Sequence, residues 1–119
     1  MFRPILEELL NSTRGSIAAL FLDYEGETVE LLSAHELDND DLKIIGAYQG
    51  IFLTRLRQLC AQLSAGEPQR FKIEFAKTTV LSCDLKDGYY AVLLVDGTAN
   101  EGIAWRHLDA CRAKLLNEI

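Results

Sequence analysis

The sequence has few of the groups with which enzymes and metal proteins do chemistry. It contains only two histidines, His35 and His107, and its three cysteines form no C-x-x-C pair or Cys/His ligand pattern. It lacks the glycine-rich loops that bind phosphates and the G-x-S-x-G motif of a serine nucleophile. The acidic run at Asp38 lacks the glycine and distal glutamate of a calcium loop. We therefore predict no catalytic residue, no metal site and no cofactor, and we expect both histidines at the surface.

The chain also lacks a basic cluster and a long apolar run. Its formal net charge of −6 argues against nucleic acid or an anionic membrane as the main partner. Glu7 and Glu8 interrupt the N-terminal stretch, unlike a signal peptide, and no apolar stretch approaches membrane-spanning length. Unpaired cysteines at positions 60, 83 and 111 are typical of core residues in a reducing compartment. We expect a cytoplasmic protein.

What the sequence does contain is apolar surface. Its 119 residues predict one domain, residues 1–119, and a domain of this size can bury a core without disulfides or metals. Hydrophobic residues make up 49% of the chain, which is high for a small soluble protein. Because apolar area beyond a small core usually lies at an interface, this composition indicates a protein that binds another protein.

Local patterns predict the element order α-β-β-α-β-β-β-α, an α+β fold. Two hairpin-linked groups of strands separated by a helix indicate a mostly antiparallel sheet with helices on its faces. The final helix is expected to begin with a capping box formed by Thr98 and Glu101. The predicted strands are Ser16–Leu22, Thr28–Leu32, Arg70–Phe75, Thr78–Leu85 and Tyr89–Val95.

The longest predicted helix, residues 38–63, carries more apolar residues than one core-facing side requires. A second apolar stripe is formed by Ile44, Tyr48 and Ile51, and Arg55 continues it. The rest of the surface is almost uncharged and includes Ala47, Gly50, Thr54, Gln58 and Ala61. The predicted core side consists of Leu42, Ile45, Phe52, Leu56, Leu59, Cys60 and Leu63.

The second stripe and the strand after the helix both indicate a contact with another molecule. Other parts of the chain could cover the stripe, but the predicted elements leave little material to do so, and we favour an intermolecular contact. The strand Arg70–Phe75 alternates cleanly and follows a crossover, so it is expected at a sheet edge. It could pair with a second copy across a two-fold axis, or its own Arg70 and Lys72 could protect it.

In this order, several segments resemble roadblock/dynein light chain domains. They are I-L-E-E-L-L, then T-R-G-S-I-A-A-L-F-L-D-Y-E-G, an I-E-F strand at 73–75, D-G-Y-Y-A-V-L-L-V, and N-E-G-I-A at 100–104. The resemblance covers essentially the whole chain. It implies a fold similar to profilin and longin domains, with a five-stranded antiparallel sheet between helices.

The resemblance also implies a homodimer formed through the second helix and the third strand. In this sequence these elements are Asp40–Leu63 and Arg70–Phe75. The implied dimer therefore uses the two segments that the residue patterns single out. The residues expected at the interface are Ile44, Tyr48, Ile51, Arg55, Phe71 and Ile73.

Members of this family act without catalytic residues and bind Ras-like small GTPases, or serve as adaptor light chains on dynein. A short single-domain chain is more similar to the GTPase partners of bacterial gliding motility. The expected function is thus a non-enzymatic, homodimeric regulator or scaffold of a Ras-like small GTPase. The alternatives are a structural adaptor and a sensor of small molecules with a pocket between sheet and helix. The surface expected to bind the GTPase is formed by Ala47, Gly50, Thr54 and Gln58.

Overall fold

The computed structural model describes all residues, 1–119, as three helices and one sheet in the predicted order. The observed boundaries fall within one or two residues of most predicted ones. None of the helices combines the length and apolarity that a membrane crossing needs. The elements are α1 (Arg3–Ser12), β1 (Ser16–Leu22), β2 (Thr28–Ser33), α2 (Asn39–Leu63), β3 (Arg70–Glu74), β4 (Thr78–Asp84), β5 (Tyr90–Asp96) and α3 (Glu101–Glu118).

The five strands form one antiparallel sheet in the order β2-β1-β5-β4-β3. β1 and β5 have near-continuous apolar sequences because both of their faces are covered. β3 alternates between half-buried and exposed residues and lies at one edge, as predicted, while β2 forms the other edge. The edge position of β3 leaves one side of its backbone without a strand partner.

Helices cover both faces of the sheet. Successive residues of a strand point to opposite faces, and β1 shows which helix lies on which side. The Phe21 ring lies 4.7 Å from the Phe2 ring on the α1 side. Leu20 and Leu22 point the other way, against Gly46 of α2. Since α1 also packs on α3, the domain is a sheet between the α1–α3 pair and α2.

The two long helices begin at side-chain caps. The Asp38 carboxylate accepts hydrogen bonds from the backbone N–H groups of Asp40 and Asp41, as expected for an N-cap. The predicted capping box of α3 is wrong, because Asn100 is the N-cap and accepts from the N–H of Ile103.

The physical reason for this error lies in the preceding turn. The Asp96 carboxylate accepts hydrogen bonds from both the backbone N–H and the hydroxyl of Thr98, at 2.8 and 2.6 Å. These bonds lower the pKa of Asp96. Thr98 is therefore part of the turn after β5, and Glu101 instead pairs with Lys72 of β3 at 2.7 Å.

Candidate interaction surface

The helix α2 approaches the sheet unusually closely. Its buried residues are Leu42, Gly46, Gln49 and Leu53. A Cβ atom at Gly46 would lie 2.8 Å from a methyl group of Leu22, and one at Gly50 would lie 2.6 Å from the Tyr90 hydroxyl. The two glycines therefore permit a backbone position in which a side chain would force Leu22 or Tyr90 to move.

Polar groups fix this close contact. The Tyr90 hydroxyl donates a 2.8 Å hydrogen bond to the backbone oxygen of Gly46. Burial raises the pKa of Tyr90 to about 12, so the hydroxyl remains a donor at neutral pH. Beside it, Ser82 donates to the side-chain oxygen of Gln49 at 3.4 Å. The side of α2 that faces the sheet thus combines two buried leucines with small and polar residues.

The predicted core side of α2 is wrong in part, because the helix is rotated toward its glycines. Phe52, Leu59 and Leu63 were expected to be buried but are 38%, 50% and 75% exposed. Leu42 is buried as expected, and the other three predicted core residues are half-buried. The rotation follows from the close approach at Gly46 and Gly50. Because these glycines face the sheet, the larger side chains of α2 named above point away from it.

The second stripe, by contrast, is not covered by the rest of the chain. Ile44, Tyr48 and Ile51 are 54%, 54% and 56% exposed. Together with the three displaced core residues they form an exposed apolar surface on α2. We call this surface the apolar face of α2 and define it as Ile44, Tyr48, Ile51, Phe52, Leu59 and Leu63.

The apolar face of α2 continues onto β3. The rings of Phe52 and Phe71 meet edge to face, with their centroids 6.4 Å apart. Ile73 lies on the same side of β3 as Phe71, where both side chains are half-buried, and Phe75 after the strand is 61% exposed. Exposed apolar side chains and an open strand edge therefore lie next to each other.

The charged side chains of β3 are engaged on the opposite face of the sheet. The Arg70 guanidinium lies 4.5 Å from the centre of the Trp105 ring. The Lys72 ammonium lies 2.6 Å from Glu74 and 2.7 Å from Glu101, and these contacts raise the pKa of Lys72. Because these side chains are directed toward α3, they do not extend over the free edge.

The residues expected to bind a GTPase do not form one accessible surface. Ala47 is half-buried beside Gly26 in the β1–β2 turn, and Gly50 faces Tyr90. Thr54 and Gln58 are exposed, and the Thr54 hydroxyl donates to the backbone oxygen of Gly50 at 2.9 Å. Among the four, only these last two present side chains to solvent.

The sequence patterns did not reveal a groove at the N-terminal end of α2. It has a volume of about 650 Å³ and lies between α2, the sheet and the β3–β4 turn. Leu42, Val80 and Leu94 are its most deeply buried lining residues. The groove is also lined by Ile17, Leu37, Asp38, Asp41, Ile45, Phe75 and Lys77.

Two of the three cysteines and one of the two histidines are engaged inside the domain. Burial raises the pKa of Cys83 and of Cys111 to about 12, so both thiols stay protonated. His35 is exposed, as expected, whereas His107 is half-buried, with its Nδ1 2.9 Å from the Thr13 hydroxyl. The two buried cysteines and His107 pack and hydrogen-bond within the fold.

Known structures share this fold. No protein-family model matches the sequence, and no curated protein matches it. Among solved structures, a Roadblock/LC7 domain from Streptomyces avermitilis is 14% identical with a TM-score of 0.83, covering 93% of this chain and 91% of that one. MglB from Myxococcus xanthus is 13% identical with a TM-score of 0.82, covering 98% and 92%.

A third similar structure is the gliding protein MglB from Thermus thermophilus. It is 22% identical with a TM-score of 0.79, covering 98% of this chain and 86% of that chain. At these identities the likeness concerns the fold, which agrees with the three helices, the five antiparallel strands and their order. The neighbours of this chain in structure are Roadblock/LC7 domain proteins, and the chain has the Roadblock/LC7 fold.

Proposed function

We propose that this chain is a homodimeric regulator or scaffold of a Ras-like small GTPase, without catalytic residues of its own, acting in the cytoplasm. The observation that carries the proposal is the apolar face of α2 beside the open edge of β3. The likeness of the fold to MglB structures supports it.

The proposed dimer satisfies both exposed features with one two-fold axis. Antiparallel pairing of β3 with β3 of a second copy would give partners to the free backbone groups of that edge. The same axis would bring the two α2 helices together through Ile44, Tyr48 and Ile51. Phe71 and Ile73 would lie beneath them, and Arg55 would lie at the border of the contact.

The proposed GTPase surface lies beside this dimer contact. Thr54 and Gln58 are the exposed residues there. The dimer would therefore present two copies of this pair, one from each α2, to one GTPase. Arg57 is held by Asp84 at 2.5 Å, and Arg55 donates to Gln58 at 3.0 Å. Because Arg57 is paired within the domain and Arg55 lies at the border of the proposed dimer contact, we expect any effect on hydrolysis to come from repositioning the GTPase's own switch loops.

A nucleotide-dependent pull-down tests the proposal. The tagged chain is incubated with native lysate containing either GDP or a non-hydrolysable GTP analogue, and the bound proteins are identified. We expect a small GTPase that is recovered in one nucleotide state more than in the other. A partner bound equally in both states would indicate the adaptor function, and recovery of no GTPase would count against the regulator. A control with Thr54→Asp and Gln58→Asp should lose the GTPase and keep the dimer.

A further inference from the structure

A second cleft lies on the face of the sheet opposite to the apolar face of α2. It has a volume of about 670 Å³ and is formed by the start of β3, the end of β4 and α3. Arg70 and Cys83 stand opposite each other in the ladder between β3 and β4, so their side chains share the face that α3 covers. We call this cleft the arginine cleft and define it by Arg70, Cys83, Asp84, Asp109 and Arg112.

Arg112 is held in the arginine cleft by a neutral partner. Its Nε donates a 2.7 Å hydrogen bond to the backbone oxygen of Asp84. The half-buried guanidinium forms no ion pair with any carboxylate of the chain. Its two terminal nitrogens have no acceptor in the chain, and neither is sealed from solvent. The planar fork of Arg112 is therefore fixed in place with its outer N–H groups free for an external acceptor.

The second arginine of the cleft is also oriented by a neutral group. The Arg70 guanidinium lies over the Trp105 ring, and its Nη1 is 3.7 Å from the Asp109 carboxylate. Because the side chains of Arg70 and Asp109 are about half exposed, this ion pair is weak. The two cations of the cleft are thus positioned by a ring and a carbonyl rather than neutralised by carboxylates.

The acidic residues around the cleft decide which anion fits. The Asp84 carboxylate is directed toward α2, where Arg57 lies 2.5 Å away. Asp109 and Glu67 are exposed at the rim. They would repel a phosphate group, which carries a charge of about −1.5 to −2 at pH 7, more strongly than a carboxylate. A carboxylate also matches the planar fork of an arginine with two parallel hydrogen bonds.

We propose that the arginine cleft binds a small organic acid, whose carboxylate accepts hydrogen bonds from both terminal nitrogens of Arg112 while Arg70 supplies a second positive charge. The volume of the cleft falls within the range of small-molecule sites, which favours a free acid over a segment of a protein. The site depends on neither the homodimer nor the GTPase, because it lies on the other face of the sheet. Binding here would supply the small-molecule site that the sensor alternative requires.

A titration with succinate tests the assignment. The ¹⁵N-labelled full chain is titrated at constant pH and ionic strength, with NaCl as the balancing salt, and NMR spectra are recorded. We expect saturable shifts of the Arg112 Nε–H signal and of the backbone N–H signals of Asp84 and Leu85. One bidentate charged contact should give a dissociation constant of about 1 mM. Shifts that do not saturate, or that spread over the whole surface, would overturn the proposal.

Variants of the two arginines test their roles. Arg112→Gln should weaken succinate binding at least about tenfold, and Arg112→Lys should do the same, because lysine keeps the charge and loses the fork. Arg70→Gln should weaken binding about threefold, and it keeps the proposal testable if the Arg112 variants do not fold. The matched control is Arg106→Gln, which removes an exposed arginine of α3 outside the cleft. Unchanged affinity in Arg112→Gln, or equal weakening in the control, would overturn the site.

Two further ligands separate the possible sources of the anion. Inorganic phosphate should bind more weakly than succinate, and tighter binding of phosphate would overturn the choice of a carboxylate. A tetraglutamate peptide presents carboxylates on a protein segment and should bind no more tightly than succinate. A peptide that bound at least about tenfold more tightly would show that the cleft docks an acidic segment, and it would overturn the assignment to a small acid.

Discussion

The two sides of α2 depart from the usual pattern of a helix on a sheet, because large apolar residues lie on both. Besides two buried leucines, the side toward the sheet contains Gly46, Gln49 and Gly50, and it accepts a hydrogen bond from Tyr90. The side toward solvent carries Tyr48 and other large apolar residues of the apolar face. An ordinary amphipathic helix places its large apolar residues inward. The comparison indicates that small residues bring α2 close to its own sheet, while the large residues of the apolar face are free to contact a partner.

The largest effect is expected on the solvent side, from Tyr48→Asp. In the proposed dimer this residue lies where the two α2 helices meet, so each copy would place a carboxylate in an apolar contact. The dimer dissociation constant should rise at least about 100-fold, as for the loss of an aromatic residue at the centre of an interface. Analytical ultracentrifugation over a concentration series measures the change.

Tyr48 is exposed in the single chain, so the same variant should change the free energy of unfolding of the monomer by less than about 0.5 kcal/mol. Thr54→Asp is the matched control, because it places the same charge on the other side of α2. Equal weakening by both variants would contradict the assignment of the interface. So would a wild-type chain that is monomeric at micromolar concentration.

An intermediate effect is expected on the sheet side, from Gly50→Ala. The new Cβ would lie 2.6 Å from the Tyr90 hydroxyl, and that hydroxyl is held by its bond to Gly46. Overpacking of this kind costs about 1–3 kcal/mol, and the gain in helix propensity of about 1 kcal/mol offsets part of it. We expect a net loss of stability in urea unfolding.

The control for this change is Gly102→Ala in α3. Its Cβ would meet only the Asn100 side chain, at 3.4 Å. The same gain in helix propensity should then leave stability unchanged or raise it by up to about 1 kcal/mol. If Gly50→Ala were as stable as Gly102→Ala, the close approach of α2 would not require glycine.

The difference between the two sides also shows what the sequence could predict. Patterns within a strand identify burial, so the alternation of β3, together with its place after a crossover, indicated an edge strand. The exposed stripe at Ile44, Tyr48 and Ile51 was likewise visible at helical spacing. These features depend on neighbouring residues along the chain, and the structure confirms them.

What the sequence did not predict depends on residues far apart in the chain. The rotation of α2 is set by Tyr90, which lies 40 residues after Gly50 and has no pattern that points to the helix. The groove requires the β3–β4 turn to lie against the start of α2, which local periodicity does not specify. The predicted N-cap of α3 was misplaced because the Asp96 carboxylate holds Thr98 in the preceding turn.

The smallest effect is expected from Tyr90→Phe, which removes the hydroxyl and keeps the ring. The lost hydrogen bond to Gly46 should cost about 1 kcal/mol. The cost is no larger because the Gly46 carbonyl lies within α2 and keeps its helical hydrogen bond. Dimerisation should not change, because Tyr90 is on the sheet side of α2. Urea unfolding at pH 7 and ultracentrifugation measure these two quantities.

The pH dependence of this variant isolates the hydroxyl. The pKa of Tyr90 is raised from 10.0 to about 12 in the folded chain because burial disfavours the phenolate. An unfolded chain therefore loses this proton at lower pH than the folded one. The contribution to stability is complete below pH 10 and is lost as pH rises from 10 to 12.

Cys83 and Cys111 also have pKa values raised to about 12, so the wild-type curve contains their contributions as well. Subtracting the Tyr90→Phe curve from the wild-type curve removes the two thiols, which both proteins share. We expect the difference in unfolding free energy to shrink between pH 10 and 12. A difference that stayed constant across this range would mean that the hydroxyl is solvated. The close contact between Gly50 and Tyr90 would then be packing alone, without a buried hydrogen bond to hold α2 in its rotated position.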